Sequence, residues 1–214
     1  TESICLDILE IEPDNQEALV NIVLAMSDRF GKEYAVGDAR ITEYLTRIRS
    51  DYERAYYSGI TYERRAKAVL ITNGVGAYEL FRQAMALNQA AGHPAAEASN
   101  HVNLGILAED RREYEVAERE FERALELDKT AERRAEIAAD LLRLGRVAER
   151  RGFPDRGLAY SERAYRSYLA QGNQAQAIAA ITFALDCARR LGLVEEVARL
   201  EKELIRLTGS RSGR

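Results

Sequence analysis

The stretch from Leu104 to Leu127, LGILAEDRREYEVAEREFERALEL, decides the fold. Small residues stand at Gly105, Ala108, Ala117 and Ala124, large apolar ones at Leu104, Tyr114, Phe121 and Leu125, and charge fills the intervals. Three- and four-residue spacing puts each set on one face of a helix. The charged interruption Arg111-Arg112-Glu113 divides the stretch into two such helices, so it reads as a helical hairpin. Glycine inside a helix costs about 1 kcal/mol relative to alanine, so Gly105 and its echo Gly145 imply close approach, with a partner helix seated on bare backbone. Ala117 and Ala124 allow the same approach from the other helix, and Phe121 fills the gap beside them.

Outward from this hairpin the pattern recurs in steps of 40 residues. Ala68, Ala108, Ala148 and Ala188 form one series, Ala77, Ala117, Gly157 and Val197 a second, and Ala84, Ala124, Ala164 and Leu204 a third. Such self-similarity without gaps marks an array of repeats. Each hairpin has apolar residues on more than one face and must stack on its neighbours.

The order of aromatic or leucine, Leu-Gly, tight turn, Tyr, Ala, aromatic and Ala resembles the tetratricopeptide repeat. In that register Gly105 is position 8, Ala117 position 20, Phe121 position 24 and Ala124 position 27. The 40-residue step resembles the long-helix variants of bacterial peptide-sensing regulators and kinesin light chains. The resemblance implies an all-α fold, a right-handed α-solenoid of stacked antiparallel helical hairpins forming a tetratricopeptide-like superhelix.

A single array over 1–208 is expected: a partial repeat at 1–15, an extended one at 16–58, then 59–93, 94–130, 131–172 and 173–208, with a flexible tail at 209–214. The opening helix ends at Pro13, which lacks an amide donor, and the turn Phe30-Gly31 leads to Ala35 at position 20. The spacing predicts one long helix over 34–57, broken at Ser58-Gly59, with Tyr44, Tyr52 and Tyr56 over the core and Tyr57 and Tyr62 exposed. A strict count puts Arg64 and Arg65 in the core. Two buried, unpaired guanidinium groups are too costly, so this helix is shifted by one residue, with Ala66 as the small position and Asn73-Gly74 absorbing the insertion. Because the chain begins at Thr1 inside an expected helix, a longer parent protein is expected.

The 214 residues are 31% charged with a net charge of −4, which offers no basic face for nucleic acid. No apolar run is long enough to span a bilayer, and a cytoplasmic protein without membrane insertion is expected. Cys5 and Cys187, alone at opposite ends of the chain, read as small apolar fillers. Gly74-Val75-Gly76 lacks phosphate-loop spacing. His93 and His101 lack metal-ligand spacing, and acidic pairs such as Glu109-Asp110 sit beside arginine as solvated faces. No catalytic residue, metal or cofactor is expected, and no enzyme.

The resemblance implies that first helices line a concave groove through repeat positions 2, 5, 9, 12 and 13. Its carry-over singles out Val102, Ile106, Asp110, Leu142, Arg146, Arg150, Asp186, Arg189 and Arg190 as the partner-binding set. Asp110 is expected near Arg150 and Glu149 near Arg189, which leaves Arg146 and Arg190 to capture carboxylates of an acidic peptide or helix, anchored by Ile106 and Leu142. Three functions stay open: a protein-interaction scaffold, a sensor or regulatory domain of a larger bacterial signalling protein that binds a peptide or small effector, and a self-associating homo-oligomeric array.

Overall fold

The computed structural model describes residues 2–30, 38–70 and 74–209. These hold eleven helices and no strand: α1 (Glu2–Ile11), α2 (Gln16–Ser27), α3 (Asp38–Arg47), α4 (Asp51–Val69), α5 (Gly74–Ala90), α6 (Pro94–Asp110), α7 (Tyr114–Thr130), α8 (Arg134–Arg150), α9 (Pro154–Ala170), α10 (Gln174–Arg190) and α11 (Val194–Gly209). Gly31, Tyr34, Ala35, Asn73 and the tail beyond Gly209, all parts of earlier expectations, lie outside the described residues. Gly209 itself closes α11 rather than opening a tail.

From α5 onward the chain obeys a stricter rule than its 40-residue pattern. Each helix from α5 to α10 has 17 residues, and the next begins 20 residues after it began. At the middle residue of each three-residue junction, 92, 112, 132, 152, 172 and 192, the backbone is left-handed, with φ between 54° and 86°. The hydrogen bonds there close the helix end twice. At Gly152, for example, its own N–H donates to the Glu149 carbonyl at 2.9 Å and that of Phe153 to the Ala148 carbonyl at 2.9 Å. Glycine tolerates this conformation because it has no β-carbon. Arg112 and Glu132 adopt it without that advantage.

The helices fall into two compact units, 1–104 and 105–214. The first has a core from α1, α2 and α3 in which Leu19, Ile22 and Val23 meet Ile41, Leu45 and Ile48. Periodicity here misplaced a boundary. The expected helix over 34–57 is two helices: α3 ends at Arg47, and α4 starts at Asp51 and runs through Ser58-Gly59 without a break. The reason is local. The Ser50 hydroxyl accepts the Glu53 N–H at 3.2 Å as an N-cap, and Arg54 donates to the Ile48 carbonyl at 2.6 Å. Gly59 serves packing instead of a turn: it is buried, and a β-carbon there would lie 2.9 Å from Asn88 Cγ on α5. The one-residue shift holds, since Ala66 is fully buried. Arg64 reaches α2, donating to the Leu24 carbonyl at 2.8 Å and pairing with Asp28 at 3.0 Å.

In the second unit α7 to α11 pack in sequence, each helix against the next. Ala117, Phe121, Ala124, Leu144, Val147, Ala148, Ala164, Ile181 and Ala188 are fully buried. The small-residue series works by close approach. A β-carbon on Gly105 would lie 2.5 Å from the Phe121 ring, and one on Gly145 would lie 3.2 Å from the Gly157 carbonyl oxygen. Cys5 and Cys187 are buried free thiols, as small apolar fillers should be.

Candidate functional site

The candidate residues of the second unit sit on one side of the first helices, α6, α8 and α10, at a repeated register. Ile106, Arg146 and Asp186 occupy equivalent positions 40 residues apart, and all three are exposed. Asp110, Arg150, Arg189 and Arg190 are exposed beside them. Two expectations change. Leu142 is only 8% exposed and belongs to the core, so it offers a partner almost no area. Val102, in the first unit, is half-buried.

The ion-pair ladder exists with a different pairing. Glu109 meets Arg150 at 3.5 Å, and Glu149 meets Arg190. Asp110 is not the partner of Arg150, nor Glu149 of Arg189. Glu109 and Glu149 at position 12 turn inward toward the neighbouring repeat, their side chains 18% and 16% exposed and within reach of the arginine at position 13 of the next first helix. Burial raises the Glu109 carboxyl above its ordinary value, and Arg150 and Arg146 pull it back. Arg189 pairs with Glu201 at 2.8 Å and with Asp186 at 3.7 Å. Arg190 is therefore engaged, contrary to expectation. Among the described residues Arg146 alone of the four candidate arginines makes no ion pair or hydrogen bond.

The other side of the unit carries a second set of charges between second helices. Glu118 on α7 is 5% exposed and is held by Arg151 and by Arg156 at 2.6 Å. Flanked by charged residues in the sequence, Glu118 reads as an outer-face position, and the structure buries it instead. Phe153 lies under both guanidinium groups at 5.5 and 5.9 Å from the ring centroid, so the pair is walled on one side by aromatic surface. A cavity of about 340 Å³ opens beside it, lined by Arg112, Tyr114, Arg151 and Phe153 among others.

Sequence reasoning missed a buried acid pair. Asp128 on α7 and Asp140 on α8 are 1% and 0% exposed, and the charge of Asp128 acts on the Asp140 carboxyl. Arg133 holds the first at 3.1 Å and Arg143 the second at 2.8 Å. Burial pushes the Asp140 carboxyl up to about 7, with Arg143 opposing and the charge of Asp128 adding to the rise. A signal was available in the apolar run around Asp140: Leu141 and Leu144, one and four residues on, share its buried side.

In the first unit the tyrosines divide differently from expectation. Tyr44 is buried, Tyr52 is 52% exposed, and Tyr56, Tyr57 and Tyr62 are half-buried. Tyr56 stacks on His93 with centroids 4.3 Å apart, while the His93 ring nitrogen Nδ1 accepts the Ala96 N–H at 3.3 Å to cap α6. Among the described residues, no three His, Cys, Asp or Glu side chains gather where they could hold a metal, and no helix is long and apolar enough to cross a membrane.

No protein-family model matches the chain, and no characterised protein matches it in sequence. Solved structures match in fold. BtubC (BKLC) from P. vanneervenii superposes with a TM-score of 0.74 at 16% identity, over 100% of this chain and 89% of that one. The STAND protein PH0952 from Pyrococcus horikoshii, which has a tetratricopeptide repeat sensor, gives 0.69 at 17% identity over 89% of this chain. A Rap protein complexed with Competence and Sporulation Factor gives 0.62 at 15% identity over 97% of this chain. This chain spans 30% of the STAND protein and 60% of the Rap protein. With helices alone, hairpins in 40-residue steps and these likenesses, the chain has the tetratricopeptide-type helical-repeat solenoid fold.

Proposed function

We propose that this chain is a protein-interaction module that takes a peptide or helix of a partner on the side formed by α6, α8 and α10. One observation carries the reading: Ile106, Arg146 and Asp186 form an exposed row at equivalent positions, and Arg146, whose charge reaches Glu109, makes no ion pair or hydrogen bond within the described residues. An exposed guanidinium beside an isoleucine that is 38% exposed suits a carboxylate next to an apolar side chain. Asp110, Arg150, Arg189 and Arg190 complete the rim. Because Arg150 and Arg190 serve the ladder and Arg189 is held by Glu201 and Asp186, the acidic preference rests on Arg146 and is narrower than a basic groove.

A sensor role within a larger protein is the second reading. It is supported by the fold shared with the STAND sensor array and with a Rap protein in complex with its factor. Both readings use the same side of the helices.

The test is selection of binders from a random peptide library on the purified chain, followed by affinity measurement. Selected peptides carry an acidic residue beside an apolar one, and Arg146→Glu weakens them at least tenfold, while Glu122→Lys on the exposed side of α7 leaves them unchanged. Binders indifferent to Arg146→Glu and to Ile106→Asp would overturn this site.

A further inference from the structure

Both α1 and α11 leave an apolar stripe in solvent, and the two stripes carry opposite charge. On α1, which packs on α2, Ile4, Ile8 and Ile11 share one face at helical spacing and are 63%, 37% and 83% exposed. A groove of about 340 Å³ lies alongside, lined by Ile4, Cys5 and Ile8 from α1 and by Asn15, Ala18 and Asn21 at the start of α2. Residues 1–12 contain Glu2, Asp7, Glu10 and Glu12 and no lysine or arginine, and of these Glu2 is paired with Arg29 at 2.7 Å.

On α11, which packs on α10, Val194, Ala198, Lys202, Ile205 and Gly209 fall on one exposed face by the same spacing. Val194 is 79% and Ile205 69% exposed. Lys202 lies within this stripe and Arg206 at its edge, with Glu195 at its N-terminal end. Asp7, Glu10, Lys202 and Arg206 make no ion pair or hydrogen bond among the described residues. Elsewhere on α11 the charges are already used: Glu201 holds Arg189, Glu203 accepts from Tyr165, and Glu196 holds Arg199.

We propose that the α11 face of one copy docks on the α1 face of a second copy, so that the chain associates head to tail. Ile205 and Val194 enter the groove beside Ile4 and Ile8, and Lys202 and Arg206 meet Asp7 and Glu10. The contact joins two different faces, so it is heterologous and leaves one α1 face and one α11 face free at the ends of each assembly. The area is that of one helix on another, below a standard stable interface. Association is therefore weak, grows with concentration and falls with salt.

Sedimentation velocity over a wide concentration range tests this, with circular dichroism as a check on folding. The unmodified chain shows a weight-average sedimentation coefficient that rises with concentration and falls with added salt. Ile4→Asp with Ile11→Asp, and separately Ile205→Asp, each remain monomeric, because the changed residues are exposed and one face is lost in each. An equimolar mixture of the two variants forms dimers and nothing larger, since one intact face of each kind remains. Asp7→Lys with Glu10→Lys and Lys202→Glu with Arg206→Glu weaken association singly and restore it when mixed. A chain that is monomeric at every concentration overturns the proposal. So does association that survives loss of one face, or a mixture that forms no dimer.

Discussion

A β-carbon placed on Gly145 would lie 3.2 Å from the carbonyl oxygen of Gly157, and one placed on Gly157 would lie 3.1 Å from the carbonyl of Gly145. Each glycine is where the other helix touches down, so α8 and α9 meet backbone to backbone. Gly145→Leu has no room, and overpacking at such a contact costs about 1–3 kcal/mol. Ala117→Leu, at a fully buried position, has a comparable cost. Urea unfolding followed by circular dichroism measures both. Glu122→Leu on the exposed side of α7 stays within about 0.5 kcal/mol of the parent.

Glu118→Leu is not a silent control, although its spacing among charged residues suggested one. The change removes the carboxylate that holds both Arg151 and Arg156; Arg151 keeps Glu115 at 3.5 Å, while Arg156 loses its ion pair. Breaking a buried pair on one side costs roughly 3–5 kcal/mol. Arg156 keeps substantial exposure, 40% of its side chain, so the lower part of that range or less is expected. Chemical denaturation of Glu118→Leu beside Glu122→Leu separates the two sites. Equal midpoints would contradict the buried clamp.

The left-handed junctions give a prediction of opposite sign at equivalent positions. Arg112 and Glu132 stand where Gly92, Gly152, Gly172 and Gly192 stand in other turns. A side chain in this conformation costs about 1–2 kcal/mol, part of which glycine returns through greater freedom of the unfolded chain. Arg112→Gly and Glu132→Gly therefore stabilise the fold by about 0.5–1 kcal/mol each. Gly152→Ala and Gly172→Ala destabilise it by about 1 kcal/mol, although nothing lies within 4 Å of a β-carbon at either site. Thermal melts of the four variants decide this.

The 40-residue series of small residues was legible because close helix contacts demand Gly or Ala at fixed places, and Ala117, Ala124, Ala148 and Ala188 are all fully buried. The 20-residue rule was hidden by Arg112 and Glu132, which carry side chains where the turn favours glycine. Ion pairs were harder still. Glu109, Glu118 and Asp110 look alike in a sequence with 35 acidic residues, and only helix rotation turns the first two inward and leaves the third in solvent. The exposed row Ile106, Arg146, Asp186 follows directly from the register, whereas the burial of Leu142 does not.

The pair Asp128 and Asp140 makes stability depend on pH near neutrality. The Asp140 carboxyl stands at about 7 in the folded chain against 3.8 when unperturbed. A raised carboxyl value means that the folded state holds the proton more tightly. Its contribution is fully present below the unfolded value and is lost as pH rises from about 4 through about 7. The effect is about 1.4 kcal/mol per pH unit of separation, and the opposing pull of Arg143 is already contained in the value of about 7. Asp140→Asn cannot lose a proton, so its stability relative to the parent improves from pH 5 to pH 8. Unfolding free energies at those two values test it, and a variant with an unchanged difference would place the pH dependence elsewhere.

Gly59 and Asn88 offer a final test of glycine used for contact. A β-carbon at Gly59 would overlap the Asn88 carboxamide, lying 2.9 Å from its Cγ. Asn88 is fully buried, and among the described residues neither its oxygen nor its nitrogen has a hydrogen-bond partner. Gly59→Ala alone drives the carboxamide from its place, and the clash outweighs the roughly 1 kcal/mol that alanine gains over glycine inside a helix. Asn88→Ala alone removes an unsatisfied amide, whose burial costs about 1–3 kcal/mol, but leaves a void beside Gly59. In the double variant the new methyl group of residue 59 occupies part of that void. The two changes therefore couple favourably by about 1–3 kcal/mol in a double-mutant cycle, and the double variant is at least as stable as the parent. If Gly59 marked a helix break, alanine there would disturb a turn, and removing Asn88 would not rescue it. A coupling near zero would return Gly59 to that reading and detach it from α5.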